Sequence, residues 1–288
     1  VTPFTPTGML DIPALKALPD WQISSGITGI VACGTTGESV TLSMDEYQQV
    51  IETIVQTSGG RVPVIAGAGG NNTTHVIELV KLAEAAGVDA ILSVAPYYNK
   101  PTQNGLFQHF SQIAASTTLP VILYNVPGRT ASNLLPETVL RLAEIENIIA
   151  IKEASGDLGQ IMEILQHRPE HFYVLSGDDA LTLPTLLAGG DGVISVISNQ
   201  IPTEFSQMVQ AALSGDLHQA RSIHYKFLDL MNINFIESNP VPVKAALAAM
   251  GKIHSNVRLP LVPLQTNSFD KIIILLRQLN LMENRQTA

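Results

Sequence analysis

The chain has 288 residues, 45% hydrophobic and 14% charged, a composition that argues against disorder and suits one large folded unit. Its formal net charge of −9, without a basic cluster, argues against a nucleic-acid partner, and its apolar runs are far shorter than the roughly 20 residues of a membrane-spanning helix. Cys33 is the single cysteine, so no intrachain disulfide forms and a reducing, cytoplasmic location is expected.

Seven apolar runs rich in β-branched residues predict strands, and turn residues follow each of them. Such continuous apolar runs are typical of a parallel sheet that is covered on both faces. The predicted strands are 27–34, 62–67, 90–96, 120–125, 147–153, 172–177 and 191–196. The chain opens with VTPF and no Met, so we expect missing or trimmed residues at its start and the tail of one further strand.

Segments with helical periodicity lie between the predicted strands. They are 43–57, 72–87, 102–117, 135–146, 159–167 and 179–190. Several open on a residue type that caps helix N-termini, namely Ser43, Asn72, Thr102 and Asp178. Gly87 and Gly189 stand where two of these helices are expected to end.

The strict alternation of strands and helices predicts an α/β fold, a (β/α)8 TIM barrel over residues 1–215 whose first strand is truncated. From residue 216 to 288 the pattern is wholly helical and predicts a C-terminal helical domain. The alternative is an open, doubly wound sheet, which normally carries a GxGxxG turn. The nearest candidate, GAGGNN at 67–72, breaks that spacing.

One lysine, Lys152, ends an apolar strand. The two-residue period of a strand places Ile148, Ala150 and Lys152 on one face. The other seven lysines lie in helical or loop segments, where a solvated amine is expected. A buried lysine either pairs or loses its proton. Lys152 is therefore predicted to form an ion pair with Glu153 or another acid, or to be a neutral amine that forms a Schiff base with a carbonyl substrate.

Other strand ends carry residues suited to the same chemistry, because a barrel places its active site at the carboxyl ends of its strands. Tyr98, Tyr124 or a threonine of GTTGES could transfer protons. The backbone N–H groups of GTTGES could bind one carboxylate, and Arg129 could bind another. The alternatives are two tyrosines that only line a wall, a simple turn and a surface arginine.

Metal and nucleotide chemistry find no support in the sequence. His167 and His171 are four residues apart, but Pro169 separates them and no third ligand is evident. No GxSxG or P-loop spacing is present either. We therefore expect no metal and no cofactor.

Seven motifs occur together and in a fixed order: GTTGES, APYYNKPTQNGLFQHF, LYNVPGRT, IKEASGD, LSGDDA, GVISV and NPVPVKAAL. Together they resemble the dihydrodipicolinate synthase family, in the N-acetylneuraminate lyase superfamily of class I pyruvate aldolases. The resemblance implies that pyruvate condenses with L-aspartate 4-semialdehyde to give 4-hydroxy-tetrahydrodipicolinate, in the diaminopimelate route to lysine. It also implies a homotetramer built as a dimer of tight dimers.

The resemblance assigns roles to individual residues of this chain. Lys152 would form the Schiff base, and the proton relay would consist of Tyr124, Thr35 and Tyr98. Tyr98 would reach into the active site of a neighbouring subunit. The substrate-binding positions would be Thr36, Ile194, Arg129 and Gly177, with Arg129 holding the carboxylate of the semialdehyde.

Lysine-inhibited members of the family bind lysine at a dimer interface. The matching positions here are Val40, Met44, Tyr47, Asn71, His75 and Tyr97. His75 replaces an acidic residue of those members, and Met44 and Tyr47 stand in place of a histidine-bearing helix start. Because a carboxylate is the natural partner of the ammonium group of lysine, we expect a degenerate site and little or no inhibition.

Two other functions remain open at this point. A lyase for N-acetylneuraminate or a 2-keto-3-deoxy sugar acid would use the same imine chemistry, although Arg129 and NPVPVK follow the synthase pattern. A catalytically silent barrel that binds a keto acid as a sensor would keep the fold without the reaction.

Overall fold

The computed structural model describes residues 1–282. Its centre is a parallel sheet of seven strands in the order β1 to β7, and each strand pairs with the next. The sheet curls, since residues from β1, β2, β3, β5, β6 and β7 line one common cavity. The strands are β1 Ile30–Ala32, β2 Val64–Gly67, β3 Ala90–Val94, β4 Val121–Asn125, β5 Ile148–Glu153, β6 Tyr173–Ser176 and β7 Gly192–Val193. All seven predicted strands are confirmed.

Helices alternate with the strands and also form the chain after β7. They are α1 Ile12–Ser24, α2 Met44–Ser58, α3 Thr73–Ala85, α4 Gln103–Ala115, α5 Pro127–Thr130, α6 Pro136–Leu142, α7 Leu158–His167, α8 Thr182–Leu187, α9 Pro202–Leu213, α10 Leu217–Ile233, α11 Val241–Ala249 and α12 Thr266–Gln278. Ser43, Asn72 and Thr102 cap their helices as predicted. Asp178 lies further from its helix, and its carboxylate accepts the N–H of Leu181, just before α8.

Two layers of apolar side chains hold the sheet. The larger core lies between the outer face of the sheet and α1 to α4, α6 and α7, and it includes Ile91, Leu123 and Ile151. The smaller core lies inside the curl, where Leu92, Ile122 and Ala150 meet. Both faces of the strands are buried, and this packing explains why each strand is a continuous apolar run in the sequence.

The helices after β7 share a further core. Apolar residues of α8, α9, α10 and α12 form one cluster, which includes Phe205, Phe227 and Ile272. Helix α11 adds Ala246 to this cluster, and its Val243 and Leu247 meet Leu18 of α1 and Val196 after β7 in a smaller cluster. The C-terminal helices therefore contact the last βα units directly, and α11 lies close to the residues that follow β7.

The structure differs from the sequence expectation at two places. Val1 to Phe4 form no strand of the sheet: Phe4 makes an isolated antiparallel bridge with Leu10, and the Thr2 hydroxyl donates to the carbonyl of Gly37. The prediction that Ile148 shares a face with Ala150 is wrong. The pairing of β4 with β5 skips Ile149, and this bulge moves Ile148 into the outer core.

Within residues 1–282, no helix combines the length and the apolar character needed to cross a membrane.

Candidate active site

Lys152 lies at the carboxyl end of β5 and points into the curl of the sheet. The register of β4 and β5 pairs Lys152 with Tyr124, so both side chains lie on the inner face. The Lys152 Nζ atom is 4.2 Å from the centroid of the Tyr124 ring. Lys152 is 9% exposed and lines a cavity of about 420 Å³. The amine is therefore shielded from bulk water yet open to a small ligand.

An ion pair with Glu153 is excluded by the alternation of the strand. Glu153 points to the opposite face, where its carboxylate accepts hydrogen bonds from Asn125 Nδ2 at 3.0 Å, Gln160 Nε2 at 3.1 Å and the backbone N–H of Ser155 at 2.6 Å. Burial raises the pKa of Glu153, although these hydrogen bonds act in the opposite direction. Lys152 makes no salt bridge with any residue between 1 and 282.

Gly177 follows β6 and packs against the Lys152 side chain. A Cβ atom at Gly177 would lie 3.0 Å from Cε and 3.1 Å from Cγ of Lys152, and 2.7 Å from Cβ of Ala154. These distances are shorter than ordinary carbon contacts of about 3.5 Å or more. The missing side chain of Gly177 thus makes room for the stem of Lys152, a contact that the sequence did not predict.

Two adjoining cavities bring most of the predicted site residues together. The first cavity, of about 420 Å³, is lined by Lys152, Thr35, Thr36 and Ile194 among others. The second cavity, of about 240 Å³, is lined by Thr35, Tyr124 and Arg129 among others. Thr35 faces both. The first cavity therefore contains the amine of Lys152, and the second is lined by the guanidinium group of Arg129.

The GTTGES loop forms a single 3₁₀ turn over Thr35–Gly37. Among residues 1–282, the backbone N–H groups of Thr35 and Thr36 donate to no protein acceptor, and both residues line the first cavity. The Thr36 hydroxyl accepts a hydrogen bond of 2.9 Å from Asn239 Nδ2, so its own proton is left for another acceptor. This turn therefore has donors that are free to bind a carboxylate, and the carboxylate-binding role itself stays a prediction.

Cys33 precedes the loop but does not offer a second nucleophile. Burial raises the pKa of the Cys33 thiol to about 12, so the sulfur stays protonated. The backbone of Cys33 has φ 53°, and its carbonyl oxygen would lie 2.2 Å from a Cβ atom at Gly67. Glycine at that position allows β1 and β2 to approach where the loop begins.

Tyr98 lies outside both cavities and projects away from the chain. It is 88% exposed and has φ 75°, a left-handed conformation that is rare for an aromatic residue. Its position within this chain does not bring it to Lys152. Arg129 lies on α5, is exposed to solvent and lines the second cavity, so both the carboxylate-binding position and the surface arginine stay predictions.

The six predicted effector positions do not gather into one pocket of this chain. Val40 and Tyr97 line the second cavity. Tyr47 belongs to the core, where its hydroxyl donates to the carbonyl of Gly67 at 3.1 Å and burial raises its pKa. His75 is half exposed, with Nδ1 3.3 Å from Glu78. Met44 and Asn71 line neither cavity.

The prediction of solvated amines for the other lysines is wrong for Lys244. Its side chain is fully buried in α11, and Nζ lies 2.6 Å from Oε1 of Glu38 in the GTTGES loop. The error arises because α11 is apolar around its whole circumference, and a lysine there cannot reach water. An all-apolar helix that contains one lysine was the signal available in the sequence.

Asp179 is a second residue that the sequence reasoning passed over. Its buried carboxylate accepts the N–H groups of Val196 at 3.1 Å and Ile197 at 2.7 Å, just beyond Ile194. Burial raises the pKa of Asp179 to about 6, against the effect of these hydrogen bonds. Asp179 therefore fixes the loop that carries Ile194 into the first cavity.

No group of three or more potential metal ligands occurs within residues 1–282. His167 ends α7 and His171 lies in the loop before β6, where its Nε2 is 3.2 Å from the carbonyl oxygen of Ala143. The two histidines therefore do not share one helical face, as the intervening proline predicted.

Comparison with known proteins agrees with this geometry. Residues 1–279 match the model of the dihydrodipicolinate synthetase family. A 4-hydroxy-tetrahydrodipicolinate synthase of Koribacter versatilis is 54% identical, covering 100% of this chain and 96% of the relative.

Two solved structures extend the comparison. The dihydrodipicolinate synthase of Aquifex aeolicus is 43% identical with a TM-score of 0.96, covering 99% of this chain and 97% of that one. A chloride-inhibited dihydrodipicolinate synthase of Acinetobacter baumannii, complexed with pyruvate, is 45% identical with a TM-score of 0.96, covering 98% of this chain and 97% of that one. The chain belongs to the dihydrodipicolinate synthetase family.

Proposed function

We propose that this chain condenses pyruvate with L-aspartate 4-semialdehyde through an imine at Lys152 and releases 4-hydroxy-tetrahydrodipicolinate. The observation that carries the proposal is the Lys152 amine, which is buried at a strand end, faces an open cavity and has no acid partner within residues 1–282. The names of the relatives and the pyruvate complex of the Acinetobacter baumannii structure support the same substrates.

The first half of the reaction takes place in the first cavity. The Lys152 nitrogen attacks the keto carbon of pyruvate, and the resulting carbinolamine loses water to give the imine. The pyruvate carboxylate accepts hydrogen bonds from the Thr36 hydroxyl and the free N–H groups of the loop. Tyr124, beside the amine, gives and takes the protons, and Thr35 connects it to the rest of the relay.

The second half uses the adjoining cavity. Loss of a methyl proton converts the imine into an enamine, whose carbon attacks the aldehyde carbon of the semialdehyde and forms the new carbon–carbon bond. Arg129 holds the carboxylate of the semialdehyde by paired hydrogen bonds. The substrate amine then attacks the imine carbon, closes the ring and frees Lys152.

The assembly supplies the remaining part of the site in this proposal. The exposed, left-handed Tyr98 fits a side chain that enters the site of a second copy and completes its proton relay. A homotetramer, built as a dimer of tight dimers, is the proposed assembly. Sedimentation of the wild-type protein tests the tetramer. Turnover by a Tyr98→Phe variant tests the role of Tyr98 in the proton relay.

The complete architecture that we propose is the (β/α)8 barrel over residues 1–215 with a helical domain over residues 216–288, of which 283–288 lie outside the described residues. Strands β1 and β7 are the edges of the described sheet and flank the position of an eighth strand. A cytoplasmic location and a reaction without metal or cofactor complete the proposal.

Borohydride reduction in the presence of pyruvate tests the central step. We expect a permanent pyruvyl adduct on the peptide that contains Lys152 and none on that peptide in a Lys152→Ala variant. Lys81 on α3 provides an internal control, since its peptide should stay unmodified. A protein that gives no adduct would be a binding barrel, such as a keto-acid sensor, and would refute the proposal.

The sugar-acid lyase stays a weaker alternative. Arg129 faces the second cavity, where a carboxylate of the semialdehyde would bind, and the relatives carry the synthase name. Supplying L-aspartate 4-semialdehyde or N-acetylneuraminate to the enzyme in separate assays distinguishes the two, because turnover is expected with the semialdehyde only.

A further inference from the structure

Lys244 is a buried charge that lies in neither cavity. Its Nζ atom donates to Oε1 of Glu38 at 2.6 Å and to the carbonyl of Thr2 at 2.9 Å, and it lies 4.3 Å from the centroid of the Phe4 ring. A buried ion pair is seldom more stabilising than well-packed apolar residues of the same volume. Stability alone therefore does not account for a lysine at this position.

Glu38 is the residue through which Lys244 contacts the GTTGES loop. It is 2% exposed and has φ 53°, a conformation that is unfavourable for a residue with a side chain. Its backbone N–H donates to the carbonyl of Thr35 at 3.1 Å and closes the turn. Because the backbone of Glu38 ends the turn and its side chain is held by Lys244, the ion pair determines where the turn stands.

The same helix also reaches the turn by a second contact. Asn239 lies two residues before α11, and its Nδ2 donates to the Thr36 hydroxyl at 2.9 Å. Helix α11 thus contacts Glu38 through Lys244, and the segment before the helix contacts Thr36 through Asn239, on the two sides of Gly37. Arg258 adds a third contact, since its backbone N–H donates to Oε2 of Glu38 at 3.1 Å.

We propose that Lys244 is a positioning residue for the carboxylate of the keto-acid substrate. Its ion pair with Glu38 holds the Thr35–Gly37 turn so that the Thr36 hydroxyl and the free N–H groups converge on one carboxylate. Lys244 itself does not touch the substrate. The inference deepens the proposed function, on which it rests for the role of Thr36.

The test measures how imine formation depends on pyruvate concentration. Lys244→Met removes the cation at nearly constant volume, and Glu38→Gln removes the anion while keeping the shape of the side chain. Both leave Lys152 intact. We expect the pyruvate concentration for half-maximal borohydride trapping to rise by about tenfold in each variant, while the adduct at saturating pyruvate stays near the wild-type amount.

Arg168→Met is the matched control for a loss of stability. Arg168 pairs with Asp191 near the start of β6 and β7, at the end of the sheet opposite to Lys152. Its replacement also removes one partner of a partly buried ion pair. We expect a lower Tm for this variant and an unchanged pyruvate dependence, so that destabilisation and misplacement of the turn are separated.

The outcomes are distinct. A wild-type protein that gives no adduct refutes the proposed function itself. A wild-type protein that gives the adduct, together with Lys244→Met and Glu38→Gln proteins of unchanged half-saturation, refutes the positioning role alone. If Lys244→Met does not fold, Glu38→Gln decides, because a wild-type pyruvate dependence in that variant overturns the inference and a rise of about tenfold supports it.

Discussion

The contact of Gly177 with Lys152 leads to a quantitative prediction. In a Gly177→Ala variant the new Cβ atom would lie 2.7 Å from Cβ of Ala154 and 3.0 Å from Cε of Lys152. Since carbon atoms pack at about 3.5 Å or more, the neighbours must move by about 0.5 to 0.8 Å. The contact with Ala154 is relieved only by a shift of that Cβ atom or of the Gly177 backbone, whereas the flexible Lys152 side chain must move by about 0.5 Å to relieve its own contact.

Two magnitudes follow from this displacement. Overpacking of one methyl group costs about 1 to 3 kcal/mol, which lowers the Tm by a few degrees. Misplacement of a reacting group by about 1 Å costs about 100-fold in rate. Because the displacement of Lys152 is about half of that distance, we expect the rate of imine formation at saturating pyruvate to fall by about 10-fold while the fold is retained. Quenching with borohydride at successive times gives the rate, and calorimetry gives the Tm.

Gly29→Ala provides a matched control at the other end of the sheet. A Cβ atom there would meet its nearest neighbours, both in Pro63, at 3.6 and 3.7 Å, which are ordinary contacts. This variant is expected to form the imine at the wild-type rate. A Gly177→Ala protein that also forms the imine at the wild-type rate would refute the view that Gly177 sets the position of the amine.

Further predictions concern proton transfer, pH and inhibition. Tyr124→Phe should lower turnover by about 10²-fold to 10⁴-fold without a change in Tm, and unchanged turnover would remove Tyr124 from the relay. Burial raises the pKa of Asp179 to about 6 and lowers the pKa of His109 to about 4. Through Asp179 the native state binds more protons than the unfolded state between about pH 4 and 6, and through His109 it binds fewer between about pH 4 and 6.5. As the pH rises through these ranges, Asp179→Asn should therefore gain stability relative to wild type and His109→Asn should lose it, each by about 3 kcal/mol. Denaturant unfolding at several pH values measures both trends, and slopes of the same sign would contradict the reasoning. Millimolar lysine should barely inhibit the wild-type enzyme, and His75→Glu should increase the inhibition; near-complete inhibition of the wild type would count against a degenerate site.

The position of Lys152 could be predicted because it depends on local rules. An apolar run of β-branched residues predicts a strand, and the period of two decides which way each side chain points near its end. The sequence could not show the bulge at Ile149, because skipping one residue depends on how β4 and β5 pair. Because of this bulge the predicted face of Ile148 is wrong, whereas Ala150 and Lys152 lie after the bulge and keep their predicted face.

Strand order alone does not determine which of the predicted residues line the two cavities. Thr35, Tyr124, Arg129 and Lys152 share the two cavities because the carboxyl ends of parallel strands meet at one edge of the sheet. The sequence placed Tyr98 at the same edge, but its left-handed backbone turns the side chain away from the chain's own site. Strand order predicts which loops are neighbours, and it does not predict the direction of a side chain within a loop.

The sequence by itself determined the strands, the helices and the strand-end lysine, because hydrophobic periodicity and capping act over a few residues. Only the tertiary structure decided that Lys244 is buried against Glu38, since the two residues are 206 positions apart and nothing local relates them. Charges in the interior need partners, and which partner is available depends on how distant segments pack. The support of the GTTGES loop by α11 is therefore a property of the folded chain.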